Sequence, residues 1–359
     1  MGAGSIGLLY AARIQEAFEK KNRHSHLTAT QPPVTLLMRP HHEPFLTWVN
    51  KYSVKEDQTR HLYAPVTITR DDETTKSRIP VQIIGPSDEN LPNIHTLLLC
   101  TKANDAITAL ASVWNRLEKF TTESQSQPRI IVLSNGALAI KDSILKRFPN
   151  CDIDIVFAST THGAYKDISN KDKYCIYHAG NGITYCTDED FVHACHVVGW
   201  ESYKLSDFEM NVMLWKKLAV NCVINPLTAI HGVRNGKLNG LSHNTQDIRL
   251  TMQGILKEVS FVAVKELELI HSQSLDTNNN KAIETVQKEL SVGSLQTFVD
   301  KVMHDTNSNI SSMLQDVKAG RVTEVNFLNG YICRIGKEKY HMDCPYNASM
   351  RSAVEQLML

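Results

Sequence analysis

The segment LWKKLAVNCVINPLTAIHGVRNGKL, residues 214–238, places Lys217, Asn221 and Asn225 at i, i+4 and i+8, a single stripe along one helix face. Leu218, Ala219, Val220, Cys222, Val223 and Ile224 fill the positions between, so this helix is expected to be largely buried. Buried polar groups need partners. A lysine, with a reference pKa of about 10.4, is an ammonium at neutral pH, and partial burial lowers that value toward the range of a working proton donor. Asparagine amides can orient a ligand by hydrogen bonds while offering no competing proton. A second polar set lies in SSMLQDVKAGRVTEVNFLNG: Ser312 and Asp316 share a face at i, i+4, and Glu324 opens the next helical stretch. Spacing alone leaves plainer roles open. The amides can bridge helices, and Glu324 can be a helix N-terminal carboxylate held by the helix dipole.

The chain opens Gly2-Ala3-Gly4-Ser5-Ile6-Gly7 and continues into a helical pattern, LLYAARIQEAF. This is G-x-G-x-x-G at a helix start: Gly2 for the tight turn, Gly4 for close backbone approach to a pyrophosphate, Gly7 for helix packing. The motif is specific only when a strand precedes it. No such strand lies ahead of Met1 in this sequence, and the first strand of the domain is expected to be missing. It would lie centrally, so its loss should expose ladder groups on its neighbours. Arg39 follows the candidate strand 34–38, where an acidic residue would read NAD; arginine suits the 2′-phosphate of NADP. Lys102 comes just after the strand TLLLC, with one residue between, and Asn135-Gly136 ends strand 129–134 at the same edge. A cation there suits a phosphate, and an amide suits cofactor or substrate. The bland alternatives are a loop lysine and a turn dipeptide.

Positioning these groups requires two kinds of scaffold. Aliphatic runs at 34–38, 66–69, 81–85, 96–100, 129–134 and 153–159 alternate with helical patterns, which predicts βαβ units around a parallel sheet. The polar stretches 20–33 and 50–63 read as surface excursions, and DKYCIYHAG followed by NGITYC reads as a hairpin. From Asp207 onward helices are predicted at 209–232, 245–272, 293–306, 309–319 and 324–337, with a loop at 273–281. The expected organisation is an α/β dinucleotide-binding domain over 1–206 and an all-helical domain over 207–359. Lys+Arg and Asp+Glu both total 38, so no charge bias draws the chain to nucleic acid or an anionic membrane. The longest apolar runs are far short of the roughly 20 residues of a membrane span. Eight cysteines form no C-x-x-C pair and have no zinc-ligand spacing, so they read as reduced thiols with no metal site. A cytoplasmic protein is expected, with organelle targeting left open by the incomplete start.

Taken together, WKKLAVNCVINPLTAIHGVRNGKL and SSMLQD…TEVNFLNG closely resemble the two signature regions of the ketopantoate reductase family. GAGSIG, LLLCTKAND, VLSNGALA, TTHGAYK and AGNGIT occur in that family's order. The resemblance implies a Rossmann-like domain followed by a helical domain of the 6-phosphogluconate-dehydrogenase-like type. It implies NADPH-dependent reduction of 2-dehydropantoate (ketopantoate) to (R)-pantoate, a step of pantothenate and coenzyme A biosynthesis. Lys217 then matches the catalytic lysine and Glu324 the assisting glutamate. Asn221, Asn225 and Ser312 match substrate contacts, and Asn135 stands between cofactor and substrate. Arg39 and Lys102 match the pair that holds the 2′-phosphate, with Gly2, Ala3, Gly4, Ser5, Ile6 and Gly7 as the cofactor turn. The polar insertions around Arg39 depart from the family pattern. The partner expected is a small 2-keto acid, and the chain is expected to be a monomer or a homodimer. A reductase of another 2-keto acid, a non-enzymatic NADPH-binding paralogue and a helical scaffold are the competing readings.

Overall fold

The computed structural model describes residues 4–25, 34–37, 53–56, 59–70, 76–84, 93–124, 126–149, 152–166, 174–240, 245–272 and 279–359. The chain divides into two compact units, Met1–Ala137 with Lys141–Ser206, and Leu138–Ile140 with Asp207–Leu359.

The first unit is α/β. Its opening helix α1 (Ser5–Ser25) carries Leu8, Leu9, Tyr10 and Ala12 on a fully buried face. Around it are two sheets. One contains β1 (Thr35–Leu37), β2 (Ser53–Glu56), β3 (Thr59–Arg70), β4 (Lys76–Ile84), β8 (Gly163–Tyr165) and β9 (Cys175–Gly180), in the order β1-β4-β3-β9-β8 with β2 on β3. The other contains β5 (Thr96–Leu99), β6 (Arg129–Val132), β7 (Asp154–Thr160), β10 (Ile183–Cys186) and β11 (Glu201–Lys204), in the order β11-β10-β7-β6-β5. β5, β6 and β7 are parallel, with Leu97 opposite Ile130 and Ile130 opposite Ile155. Helices α2 (Ala103–Ala111), α3 (Trp114–Ser124), α4 (Ala137–Arg147) and α5 (Glu189–Val197) connect these strands.

Three sequence expectations are corrected here. The sheets are mixed, because β3–β4, β8–β9 and β7–β10 pair antiparallel. Residues 50–63 are not wholly an excursion: Ser53–Glu56 pairs antiparallel with Thr59–Leu62, a two-stranded extension whose sequence, SVKE and TRHL, lacks the aliphatic run that a hydrophobic pattern search detects. Cys175–Gly180 and Ile183–Cys186 are not a hairpin. The chain crosses between the two sheets at Gly180-Asn181-Gly182, β9 pairing with β3 and β8 while β10 pairs with β7 and β11.

That crossing is braced by a buried polar cluster. The Gly182 N–H donates to His162 Nδ1 at 3.0 Å, and His178 Nε2 lies 3.0 Å from the same nitrogen. His162 Nδ1 is therefore the unprotonated atom and His178 Nε2 the donor. Tyr10 packs on Trp200 at 5.0 Å and on Phe191 at 5.8 Å between ring centroids, and its hydroxyl lies 2.6 Å from Thr184 Oγ1. Burial, followed by the neighbouring His178 and Arg13, pushes the His162 imidazole down to about 4. A folded-state value below the ordinary 6.5 means that the unfolded chain binds the proton first. The stabilisation is fully present above about 6.5 and is lost as the pH falls toward 4, an effect of roughly 3 kcal/mol. The melting temperature is accordingly expected to fall between pH 7 and pH 5, and His162→Gln should flatten that slope. An equal slope in both proteins would contradict this account.

The second unit is helical. It comprises α6 (Asp207–His231), a 3₁₀ turn at Asn235–Gly240, α7 (Thr245–Ser272), α8 (Asn279–Glu289), α9 (Val292–Asp305), α10 (Ser312–Lys318), a 3₁₀ turn at Val325–Phe327, α11 (Asn329–Tyr340) and α12 (Pro345–Gln356). Cys222, Val223, Ile255, Leu256, Val259, Val299 and Ile332, each fully buried, form its core. Two expectations shift. Helix α8 begins at Asn279, inside the Asn-rich stretch read as loop. The stretch 324–337 is not one helix, since Leu328 (φ −109°, ψ −94°) separates the short turn from α11. No helix among the described residues is long and apolar enough to cross a membrane.

Candidate active site

In the helical unit, α6 presents the polar stripe. Its neighbours Leu218, Ala219, Cys222, Val223 and Ile224 are all buried. Lys217 is half-buried, and Asn225 is buried with its Nδ2 3.4 Å from Asn221 Oδ1. Desolvation pushes the Lys217 ammonium down to about 8, and the nearby Glu324 carboxylate resists that fall. Glu324 is buried just ahead of the Val325–Phe327 turn, and its carbonyl accepts the Phe327 N–H at 2.9 Å. The fold thus brings Glu324 close enough to act electrostatically on Lys217, although 107 positions of chain separate a helix interior from a turn.

Lys216 takes another direction. Its Nζ pairs with Glu289 and lies 5.8 Å from the Phe298 ring centre. One residue along a helix is a rotation of about 100°, which sends the two neighbouring ammonium groups into different surroundings.

Ser312 and Asp316 do not share an environment. Ser312 is exposed at the first position of α10, whereas Asp316 is buried and accepts from Arg321 Nε at 3.0 Å. Sequence reasoning missed the serine beside it. Ser311 is the N-cap of α10, accepting the Leu314 N–H at 3.1 Å, and its Oγ lies 2.6 Å from Thr228 Oγ1 on α6. The cap therefore ties α10 to the striped helix. The signal was present as Ser-Ser preceding a short apolar helical pattern. Asn235 was also passed over. Its backbone N–H donates to the Asn309 carbonyl at 3.0 Å and its Nδ2 to Thr306 Oγ1 at 2.9 Å. Next to it, a Cβ on Gly236 would fall 2.6 Å from Asn307 Cβ, so this backbone approach needs glycine.

In the α/β unit, α1 begins directly at Ser5, with Gly4 exposed, Ser5 and Ile6 half-buried and Gly7 buried. A side chain added at Gly4 would meet nothing within 4 Å, so backbone there is open to close approach. Lys102 precedes α2 and Asn135 precedes α4, each just beyond the carboxyl end of the adjacent parallel strands β5 and β6. Ser134 joins the two loops by donating to the Thr101 carbonyl at 2.6 Å. Gly136 holds φ +68°, a left-handed conformation that suits glycine and turns the chain sharply from Asn135 into α4. Gly2, Ala3 and Arg39 lie outside the described residues. Among the described residues no group of His, Cys, Asp and Glu is arranged to hold a metal ion.

Comparison with known proteins bears on the class. A family model described as ketopantoate reductase PanE/ApbA matches residues 1–189, and its C-terminal counterpart matches residues 209–357. The chain belongs to the ketopantoate reductase family, a family of dinucleotide-binding oxidoreductases. The 2-dehydropantoate 2-reductase of Vibrio cholerae is 28% identical over 313 residues, covering 83% of this chain and 88% of that protein. A PanE/ApbA family ketopantoate reductase from Ralstonia eutropha shares the fold, with a TM-score of 0.67 at 18% identity over 100% of this chain and 97% of that one. D-mandelate dehydrogenase, solved with NADH and anilino(oxo)acetate, gives a TM-score of 0.66 at 17% identity over 99% and 96% of the two chains.

Proposed function

We propose that this chain catalyses the NADPH-dependent reduction of 2-dehydropantoate to (R)-pantoate. The observation that carries the reading is Lys217, an ammonium beside the buried Leu218 and Ala219 on the striped helix, lowered to about 8 by burial and kept charged by Glu324. A group with that value is still protonated at neutral pH and gives up its proton more readily than a solvated lysine.

The residues fit a dinucleotide. The open backbone at Gly4 and the helix that starts beside it would hold a pyrophosphate. Lys102 and Arg39 would supply cations to a 2′-phosphate, and Asn135 an amide at the strand edge. The bound cofactor supplies the hydride. As negative charge develops on the carbonyl oxygen of the keto acid, the Lys217 ammonium stabilises it and delivers a proton to that oxygen, leaving a neutral amine that recovers its proton from water. Asn221, Asn225 and Ser312 hold the substrate carboxylate and hydroxyl by hydrogen bonds, with no proton of their own to lose at working pH. Glu324 keeps Lys217 charged between turnovers.

The neighbour solved with an anilino(oxo)acetate ligand favours a second reading, a reductase of another 2-keto acid. Steady-state NADPH oxidation with 2-dehydropantoate and with an aromatic 2-oxo acid separates the two. The larger kcat/KM is expected for 2-dehydropantoate, and a preference for the aromatic acid would replace the first reading with the second. NADPH is expected to be preferred over NADH, and Arg39→Asp to narrow or reverse that preference. Equal use of both coenzymes by the unaltered chain would remove Arg39 from the 2′-phosphate site.

A further inference from the structure

Helix α6 contains a proline in its interior, Pro226, and runs on to His231. In an unbroken α-helix the N–H of residue 226 would bond to the carbonyl of residue 222. Proline has no N–H, so the Cys222 carbonyl loses its helical partner in a fully buried place. The vacancy is filled from outside the helix. Asn329, at the start of α11 and fully buried, donates its Nδ2 to the Cys222 carbonyl at 2.9 Å.

The same amide is held from behind. Asn329 Nδ2 also donates to Asn347 Oδ1 at 2.9 Å, and Asn347 Nδ2 donates to Glu258 Oε2 at 2.7 Å. Glu258 is fixed in turn by the backbone N–H groups of Tyr346 and Asn347, each at 2.9 Å, at the amino end of α12. Asn329 Oδ1 finds no hydrogen-bond partner among the described residues, and the two bonds donated by Nδ2 set the orientation of the side chain. Flipping the amide would set Oδ1 against the Cys222 carbonyl oxygen and lose both donated bonds.

We infer that Asn329 is a positioning residue for the substrate stripe. Cys222 lies next to Asn221 and one turn ahead of Asn225. A donor fixed in α11 and braced through Asn347 and Glu258 sets where those two amides stand along the helix. The inference rests on the proposed reading of Asn221 and Asn225 as substrate contacts. Asn329 itself touches no reacting atom.

Pro226 provides the test, because Pro226→Ala restores the helix's own N–H to the Cys222 carbonyl. Asn329→Leu in the full-length chain is expected to raise KM for the keto acid roughly ten- to hundredfold, with kcat and KM for NADPH changed by less than about threefold. Pro226→Ala/Asn329→Leu is expected to recover most of the KM. Amide hydrogen exchange over residues 219–228 should quicken in Asn329→Leu and slow again in the double variant. Faster exchange with an unchanged KM, or a KM that the double variant does not recover, would overturn the positioning role. If Asn329→Leu is too unstable to assay, the double variant against Pro226→Ala alone carries the comparison, and a large KM difference between those two would also overturn it. If the unaltered chain reduces no keto acid, the functional reading fails by itself. Exchange then judges the helix-fixing claim separately, which unchanged protection in Asn329→Leu would sink.

Discussion

Lys217→Ala is expected to lower kcat for reduction of 2-dehydropantoate by about 10²–10⁴, the usual contribution of one general acid. Binding of NADPH should change little, since the residues assigned to the cofactor belong to the other unit of the chain. The protein should also stay folded. Burial disfavours the Lys217 ammonium, as its fall to about 8 shows, so truncation removes a charge that was costly to hold. Lys216→Ala is the matched control. It breaks a partly exposed pair with Glu289, worth about 1 kcal/mol at most, and should leave turnover near the starting value. If Lys217 were only structural, Lys217→Ala would lose a few kcal/mol of stability and activity would fall only in step with unfolding. Thermal melts measured beside steady-state rates for both variants distinguish these outcomes.

Gly182→Ala is the second large effect, and it acts on folding. A Cβ at this position would overlap the backbone nitrogen of His162 and the carbonyl carbon of Thr161, neither of which belongs to a flexible side chain. The chain passes from one sheet to the other at this point, and the Gly182 N–H also donates to His162 Nδ1. Relieving the overlap would have to move the crossing and the buried histidine pair together. A loss of roughly 3 kcal/mol or more is expected by urea titration. Gly293→Ala is the comparison, since Gly293 lies in the first turn of α9 with nothing within 4 Å of an added Cβ. That change should be neutral or slightly stabilising. Similar midpoints for the two variants would show that the 161–162 backbone yields cheaply.

The parts of the fold that were legible in the sequence are those with strong local periodicity. The stripe of Lys217, Asn221 and Asn225 could be laid on a helix because buried aliphatics fill the rest of each turn. The parallel strands β5, β6 and β7 were legible as short, largely aliphatic runs with few exposed positions. What failed was pairing between distant segments. AGNGIT carries the turn chemistry of a hairpin, but turn residues specify a bend and not which strands flank it. Here β3 and β7, far off in the chain, take the two arms. The break at Leu328 was illegible for a similar reason. It leaves Asn329 to serve a carbonyl more than a hundred positions earlier, a demand created by Pro226 and invisible in the residues around Asn329. Ser312 and Asp316 show the limit of helical spacing as a guide. At the first turn of a short helix, i and i+4 can differ in burial, and here the cap Ser311 faces inward while Ser312 is exposed. Electrostatic proximity of Lys217 to Glu324 follows from packing of separate elements, so spacing alone had left a plain helix-terminal role for Glu324 open.

The most direct test of Lys217 as the proton donor is the pH dependence of single-turnover hydride transfer from NADPH to 2-dehydropantoate. The rate is expected to be level below neutrality and to decline as the pH rises through about 8, where the buried ammonium loses its proton. Glu324→Gln removes the charge that raises this value, so its alkaline decline should begin at a lower pH. A rate that stays level from pH 6 to pH 10, or one whose decline is unmoved by Glu324→Gln, would contradict the assignment.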